Sequence, residues 1–281
     1  MKGNFDKNEQ SDLACERRRA DTAAAGIKFL SEAVGAHRWE RLSVTTAEGA
    51  ESIGRPMGSY NTLNVTELNA FDDSDIADTA NEVAKELCTM FDRLGVIPDR
   101  LLVVGLGNRD LTPDSIGPRV AERVSATMHV KSFDRRFFTD LDCSEIAVCI
   151  PGVTSKTGME AAETVMAICE RIEPDAVIAI DSLASRSTER LGKTVQISDT
   201  GIFPGSGVGN GRRPLNEETL GAPVIAIGVP TVINARILTG DGESLLESPD
   251  DLFVSPKDID TIVDVFSRII AEGINQAFGV F

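Results

Sequence analysis

The stretch PDAVIAIDSLASRSTER, residues 174–190, decides how the rest of the chain is read. Its centre, AVIAI at 176–180, is apolar at consecutive positions, so a strand built from it is apolar on both faces. A strand of that kind belongs inside a sheet covered on both sides. Asp181 follows it at once, and a short polar run, SLASRS, comes next. Outward from this stretch the same pattern repeats. LLVV at 101–104, IAVCI at 146–150 and VIAIGV at 224–229 are further buried strands. Between them run helical spacings: Ile116, Val120, Val124 and Met128, then Met159, Ala162, Val165, Met166, Cys169 and Ile172. A last helix begins near Pro256 and carries Ile259, Ile262, Val263, Phe266, Ile269 and Ile270. Buried strands alternating with helices predict an α/β fold, a mostly parallel sheet with helices on both faces.

The amino-terminal third is less regular. Residues 1–9 are polar and read as a loose end. Residues 14–30 read as helix, with Arg17, Arg18 and Arg19 as a solvated basic turn. Strands are predicted from Trp39 and from Tyr60. The acids Asp72, Asp73, Asp75 and Asp78 mark the start of a helix, favoured there by the helix dipole. That helix has apolar spacing at Ile76, Ala80, Val83, Leu87, Phe91 and Leu94.

Bulk composition narrows the function. The chain has 281 residues and a formal net charge of −16, with a pI near 4.6. Such a balance argues against direct binding to nucleic acid or to an anionic membrane, because a phosphate-binding face needs excess Lys and Arg. No run approaches the ~20 apolar residues of a membrane span, and the amino terminus has no apolar signal core. The expectation is a cytoplasmic protein. Its five cysteines form no CxxC pair, which speaks against structural zinc and for buried, reduced thiols.

In open α/β sheets the site lies outside the carboxyl ends of the strands. The segment after 101–104, GLGNRDLTPDSIGP, looks superficially like a dinucleotide fingerprint. It fails because Asp110 stands where the third glycine should be, and an acid there repels a pyrophosphate. The segment does carry Asp114, which could cap the helix starting near Ser115. One such Asp would be read as a cap. Two, Asp114 and Asp181, on two strand ends of one sheet, point to catalysis. A close carboxylate pair cannot both ionise cheaply, so one keeps a proton, giving a base to activate water and an acid for a leaving amide nitrogen. The same pair could hold a metal, but a tight transition-metal site wants His or Cys beside the acids. The two histidines, His37 and His129, lie far from these segments in sequence. No metal site, no cofactor and no Ser-His-Asp triad is expected, and Ser182 and Ser206 read as loop hydroxyls that bind backbone.

With these segments in view the chain resembles the germination proteases of spore-forming bacteria. The likeness rests on VVGLGN at 103–108, TPDSIGPRV at 112–120, PGVTSKTGME at 151–160, the opening stretch itself, QISDTGIFPGSGVGN at 196–210, TLGAPVIAIGVPTVINA at 219–235 and the closing helix. AEGAESIGRPMGSYNTL at 47–63 and SDLACERRRAD at 11–21 agree more weakly. The resemblance implies an aspartic-type endopeptidase that starts the degradation of small acid-soluble spore proteins during germination, with Asp114 and Asp181 as its essential acids. It implies cleavage after acidic residues, for which Arg186, Ser206, Arg212 and Arg213 are the candidate substrate-binding residues. It also implies a homotetramer and a fold similar to the hydrogenase-maturation endopeptidases. That relation leaves a metal-assisted mechanism as one alternative, and a non-catalytic peptide-binding relative is another. The family is made as a self-processing zymogen. Here Ser11-Asp12-Leu13-Ala14-Cys15-Glu16 resembles both its processing site and its substrates' site. Residues 1–12 are then a propeptide, 13–281 a single peptidase domain, and the cut lies between Asp12 and Leu13. One departure stands out: family members carry a long segment before the closing helix, where this chain has only a short bridge after Asn234.

Overall fold

The computed structural model describes residues 11–17, 26–65, 72–204, 213–239 and 252–280. In chain order the strands are β1 (Ile27–Val34), β2 (His37–Val44), β3 (Gly58–Asn64), β4 (Arg100–Gly105), β5 (Glu145–Cys149), β6 (Ala176–Ser185), β7 (Thr194–Ser198), β8 (Val224–Asn234) and β9 (Phe253–Val254). The helices are α1 (Ala47–Ile53), α2 (Asp73–Leu94), α3 (Ile116–Arg123), α4 (Met128–Phe133), α5 (Arg135–Leu141), α6 (Thr154–Thr157), α7 (Ala161–Ile172), α8 (Glu217–Leu220), α9 (Ala235–Thr239) and α10 (Ile259–Ala277).

The strands form one sheet in the order β1-β2-β3-β7-β8-β6-β4-β5, with β9 paired to β8. The parallel sheet expected from the apolar runs is one half of it: β5, β4, β6 and β8 run parallel. The other half, β8 through β7, β3, β2 and β1, is antiparallel throughout. The sheet is therefore mixed. The two halves differ in covering, as antiparallel strands tolerate one wet face. β6 is buried at nine of its ten positions, whereas β2 is buried only at Trp39, Leu42 and Val44.

Helices cover both faces, as expected. On one face α2, α3 and α10 pack against Leu101, Val103, Ile178, Ile180, Ile225 and Ile227. On the other, α7 and α8 cover Leu102, Val104, Val177, Ala179, Val224 and Ala226. The acid-rich start of α2 is a helix start, as expected, and it forms a capping box. Asp72 accepts from the Ser74 and Asp75 amides at 2.8 and 3.0 Å, and Asp75 accepts from the Asp72 amide at 3.0 Å.

Two expected helices differ. The described residues within 14–30 form no α-helix: Ala14–Arg17 is a 3₁₀ turn, and Ile27 opens β1, which pairs with β2 along its whole length. The readable cue is the two-residue connection Gly35-Ala36, with Gly35 at φ 57°, a tight hairpin turn that sets the register of both strands. The spacing from Ile116 to Met128 is broken after Arg123, where Val124 turns extended. Thr127 causes the break by binding the edge strand. Its amide donates to the Ile146 carbonyl at 2.9 Å, and its hydroxyl accepts from the Ile146 amide at 2.8 Å.

Candidate active site

β4 and β6 are neighbours of unequal length, and the site grows from that mismatch. β4 ends at Gly105 opposite Ile180, and the Leu106 amide makes the last bond, to the Ile180 carbonyl at 2.8 Å. β6 runs on to Ser185 beside β8. Asp181 is thus not past the end of its strand, as its sequence suggested. It sits inside β6, at the first position beyond the β4 ladder and opposite Gly228. It is 6% exposed, and the Ser182 amide donates to its Oδ1 at 2.9 Å.

Asp114 closes the 3₁₀ turn Thr112–Asp114 after β4. It does not cap α3. Ser115 holds the cap position, and no side chain caps that helix. Instead the Asn108 amide donates to Asp114 Oδ2 at 2.9 Å and to its carbonyl at 2.8 Å. That fold-back needs Gly107, whose φ is 112° and whose added Cβ would stand 2.2 Å from the Asp114 carbonyl. The dinucleotide-like glycine spacing therefore has a different purpose here: it lets the Asp114 turn lie against its own strand. A bond of 2.6 Å from the Thr231 hydroxyl to the Pro113 carbonyl ties the turn to β8.

Asp114 and Asp181 line one cavity of about 360 Å³, together with Asp12, Arg55, Tyr60 and Gln196. The Ser182 hydroxyl, buried on the same wall, meets no hydrogen-bond partner among the described residues. Tyr60 donates to the Pro56 carbonyl at 2.8 Å, and burial raises its phenol above the ordinary range. Across the segment that carries Asp114, Asp110 pairs with Lys156 of α6. That ammonium lowers the carboxyl of Asp110.

Of the expected substrate-binding residues, Ser206 and Arg212 lie outside the described residues. Arg186 and Arg213 are not on the cavity wall. The Arg186 amide donates to Glu16 at 2.7 Å, and Arg213 reaches the Met166 sulfur at 3.5 Å. The one basic residue on the wall, among the described residues, is Arg55. A lone arginine between Gly54 and Pro56 gives no sequence cue, because what aims it is the end of α1. Gly54 turns left-handed at φ 63°, and the Arg55 amide closes on the Ala50 carbonyl at 3.1 Å.

The segment expected to be processed, at Asp12 and Leu13, is built into this region. β6 beyond Ile180 has no β4 beside it, and Asp12 takes that edge, its amide donating to the Ala184 carbonyl at 2.9 Å. Leu13 joins the core on the α7 face, and Ala14 joins the smaller core of β2, α1 and β3. Glu16 accepts from the Ser185 hydroxyl and the Arg186 and Ser187 amides at 2.7, 2.7 and 3.2 Å.

The remaining candidates are elsewhere. His37 bonds to Thr79 at 3.0 Å, and burial lowers its pKa. His129 stacks edge-on against Phe133. Burial pushes the Cys15, Cys149 and Cys169 thiols up to about 11. Cys88 is exposed, unlike the buried thiol expected there. Among the described residues no three His, Cys, Asp or Glu side chains come together to hold a metal ion, and no helix is long and apolar enough to cross a membrane.

A cleft at the carboxyl ends of parallel strands, walled by three carboxylates and a guanidinium, is the arrangement of an α/β enzyme. The family model described as germination protease matches residues 6–248, and the chain belongs to that family of peptidases acting in spore germination. It is 35% identical to the germination protease of Clostridium perfringens over 96% of this chain and 95% of that one. It is 36% identical to that of Clostridium tetani over 90% and 88%. With that of Bacillus cytotoxicus it shares 39% identity over 83% of this chain and 63% of the relative. The alignment to the first runs over 313 positions against the 281 residues here, so this chain is the shorter of the two in places. A crystal structure of a NiFe hydrogenase maturation protease from Thermococcus kodakarensis overlays with a TM-score of 0.41 at 20% identity, over 68% of this chain and 97% of that one.

Proposed function

We propose that the chain hydrolyses peptide bonds after acidic residues of small acid-soluble spore proteins, with Asp114 and Asp181 as its acid/base pair and no metal or other cofactor. The observation that carries this is the convergence of both carboxylates on one cavity wall, Asp114 from the turn after β4 and Asp181 from within β6. One carboxylate takes a proton from the attacking water, and the other protonates the leaving amide nitrogen. Placing one acid in a backbone-bonded turn and the other inside a strand holds both rigid, which favours proton transfer in a fixed geometry. Purified small acid-soluble spore protein, incubated with the chain and followed on a gel, tests the reading. Cleavage is expected with the natural chain and absent with Asp114→Asn or Asp181→Asn. Near-normal cleavage by either variant overturns the pair.

Self-processing belongs to the same reading. Residues 1–12 form the propeptide, 13–281 the peptidase domain, and the cut lies between Asp12 and Leu13. A tethered segment has a high effective concentration at its own site. Asp12 lines the same cavity as Asp114 and Asp181, which supports cleavage in cis. Intact-mass measurement at mildly acidic pH is expected to give a species beginning at Leu13, and none with Asp181→Asn. Equal yield from that variant would assign the cut to a contaminant. The assembly is a homotetramer in the cytoplasm of the spore core, which sedimentation of the purified chain and fractionation of spores would check.

A further inference from the structure

We infer that Arg55 and the backbone amide of Ala184 form the subsite that reads an acidic side chain of the substrate, and that Asp12 occupies it in this structure as an internal stand-in. The inference rests on the peptidase reading above and adds its specificity residues.

The Asp12 carboxylate is gripped from two sides. The Ala184 amide donates to Oδ2 at 2.9 Å, and Arg55 Nη2 lies 3.5 Å from Oδ1 while donating to the Ser11 carbonyl at 2.9 Å. Asp12 is 8% exposed and the Arg55 side chain 14%. A carboxylate withdrawn this far from water requires such partners.

The charge around it sharpens the point. Asp114 and Asp181 are on the same wall, and Arg55 is the one basic residue there among the described residues. A third carboxylate enters an acid-lined cavity only at the place where a cation offsets it.

The grip is also of a kind that a separate peptide can use. Asp12 lies on the edge of β6 that β4 vacates, joined to Ala184 through its backbone amide as well as its side chain. Strand addition to an open edge is how extended peptides are bound, with alternate side chains falling into fixed pockets. A substrate laid on the same edge puts a side chain where that of Asp12 now is. Arg55 is pre-aimed by the left-handed Gly54 and by the bond of its own amide to Ala50, so little order is lost on binding.

The test separates recognition from hydrolysis by measuring binding in an inactive chain. The full-length double variant Asp12→Ala/Asp181→Asn is titrated against a fluorescent peptide copying residues 8–18, and against the same peptide with Asn at the position of Asp12. The Asp peptide is expected to bind about 10–100-fold more tightly, as a charge-assisted contact predicts. Adding Arg55→Gln should bring the two affinities together, and Arg55→Lys should restore part of the gap. Restoring Asp12 should weaken both peptides through competition. Thermal melts of each variant report whether the fold is kept. A preference that survives Arg55→Gln in a folded chain overturns the assignment, as does the absence of any preference in the double variant. An equal loss of both peptides in Arg55→Gln, with the melt unchanged, also overturns it, since Arg55 would then serve binding in general. Failure of the natural chain to cut spore protein would sink the peptidase reading and leave this binding result to stand or fall separately.

Discussion

The two halves of the sheet bring different chemistry to one cavity. The parallel half supplies both carboxylates, Asp114 from the turn after β4 and Asp181 from within β6. The antiparallel half and its helix supply Tyr60, Gln196 and Arg55. Parallel strands all end at one edge, so their carboxyl-end loops converge on one place. Antiparallel strands present alternating ends and offer side chains along their length. The difference teaches that the proposed acid/base pair comes from one half and the cavity's arginine from the other, joined where β7 pairs with β8.

If that division is right, substitutions in the two halves fail in different ways. The largest effect belongs to the carboxylates. Asp114→Asn or Asp181→Asn should lower kcat by about 10²–10⁴-fold, the usual size of acid/base catalysis, with a small change in KM. Arg55→Gln should instead raise KM more than it lowers kcat. An Arg55→Gln enzyme that loses kcat alone would erase the division.

Next is the backbone that seats Asp114. Gly107→Ala puts a methyl against the Asp114 carbonyl at a φ of 112°. It should destabilise the fold by about 1–3 kcal/mol and reduce activity further than Gly221→Ala, where an added Cβ meets nothing within 4 Å. Chemical denaturation and initial rates measure both. Equal rates in the two variants would mean that the turn does not hold the acid.

A smaller effect is expected at the anchor of the amino-terminal segment. Glu16→Gln weakens bonds to Ser185, Arg186 and Ser187, each worth about 1.5–3 kcal/mol while charged. Hydrogen exchange should accelerate at the Leu13 and Ala14 amides, with no change in β4 or β5. Spread of the faster exchange across the parallel half would show the segment to be structural support for both halves.

The smallest expected effect is none. Prolonged chelation should leave the rate of cleavage unchanged, because neither histidine is on the cavity wall. A loss restored by one divalent ion would move the carboxylates from proton transfer to metal binding.

Much of this was legible in the chain itself. The runs at 101–104, 146–150, 176–180 and 224–229 announce buried strands because apolarity on both faces has one structural solution. Asp114 and Asp181 stand out because an acid beside such a strand is costly unless it is used or satisfied. The antiparallel half was harder to read, since alternation in a short strand resembles helical spacing until its partner is known. Residues 27–30 went from helix to strand for that reason.

Sequence alone determined the class of fold and the family and singled out the two acids that line the cavity, because each rests on local patterns of residue type. Only the tertiary structure decided that Asp181 lies inside its strand, that Gly107 serves Asp114 rather than a nucleotide, and that Arg55 stands on the cavity wall. Each of these depends on where one strand stops beside another. Strand ends are set by pairing between residues distant in the chain, and Asp12 finds Ala184 across 172 positions because β4 leaves that edge of β6 open.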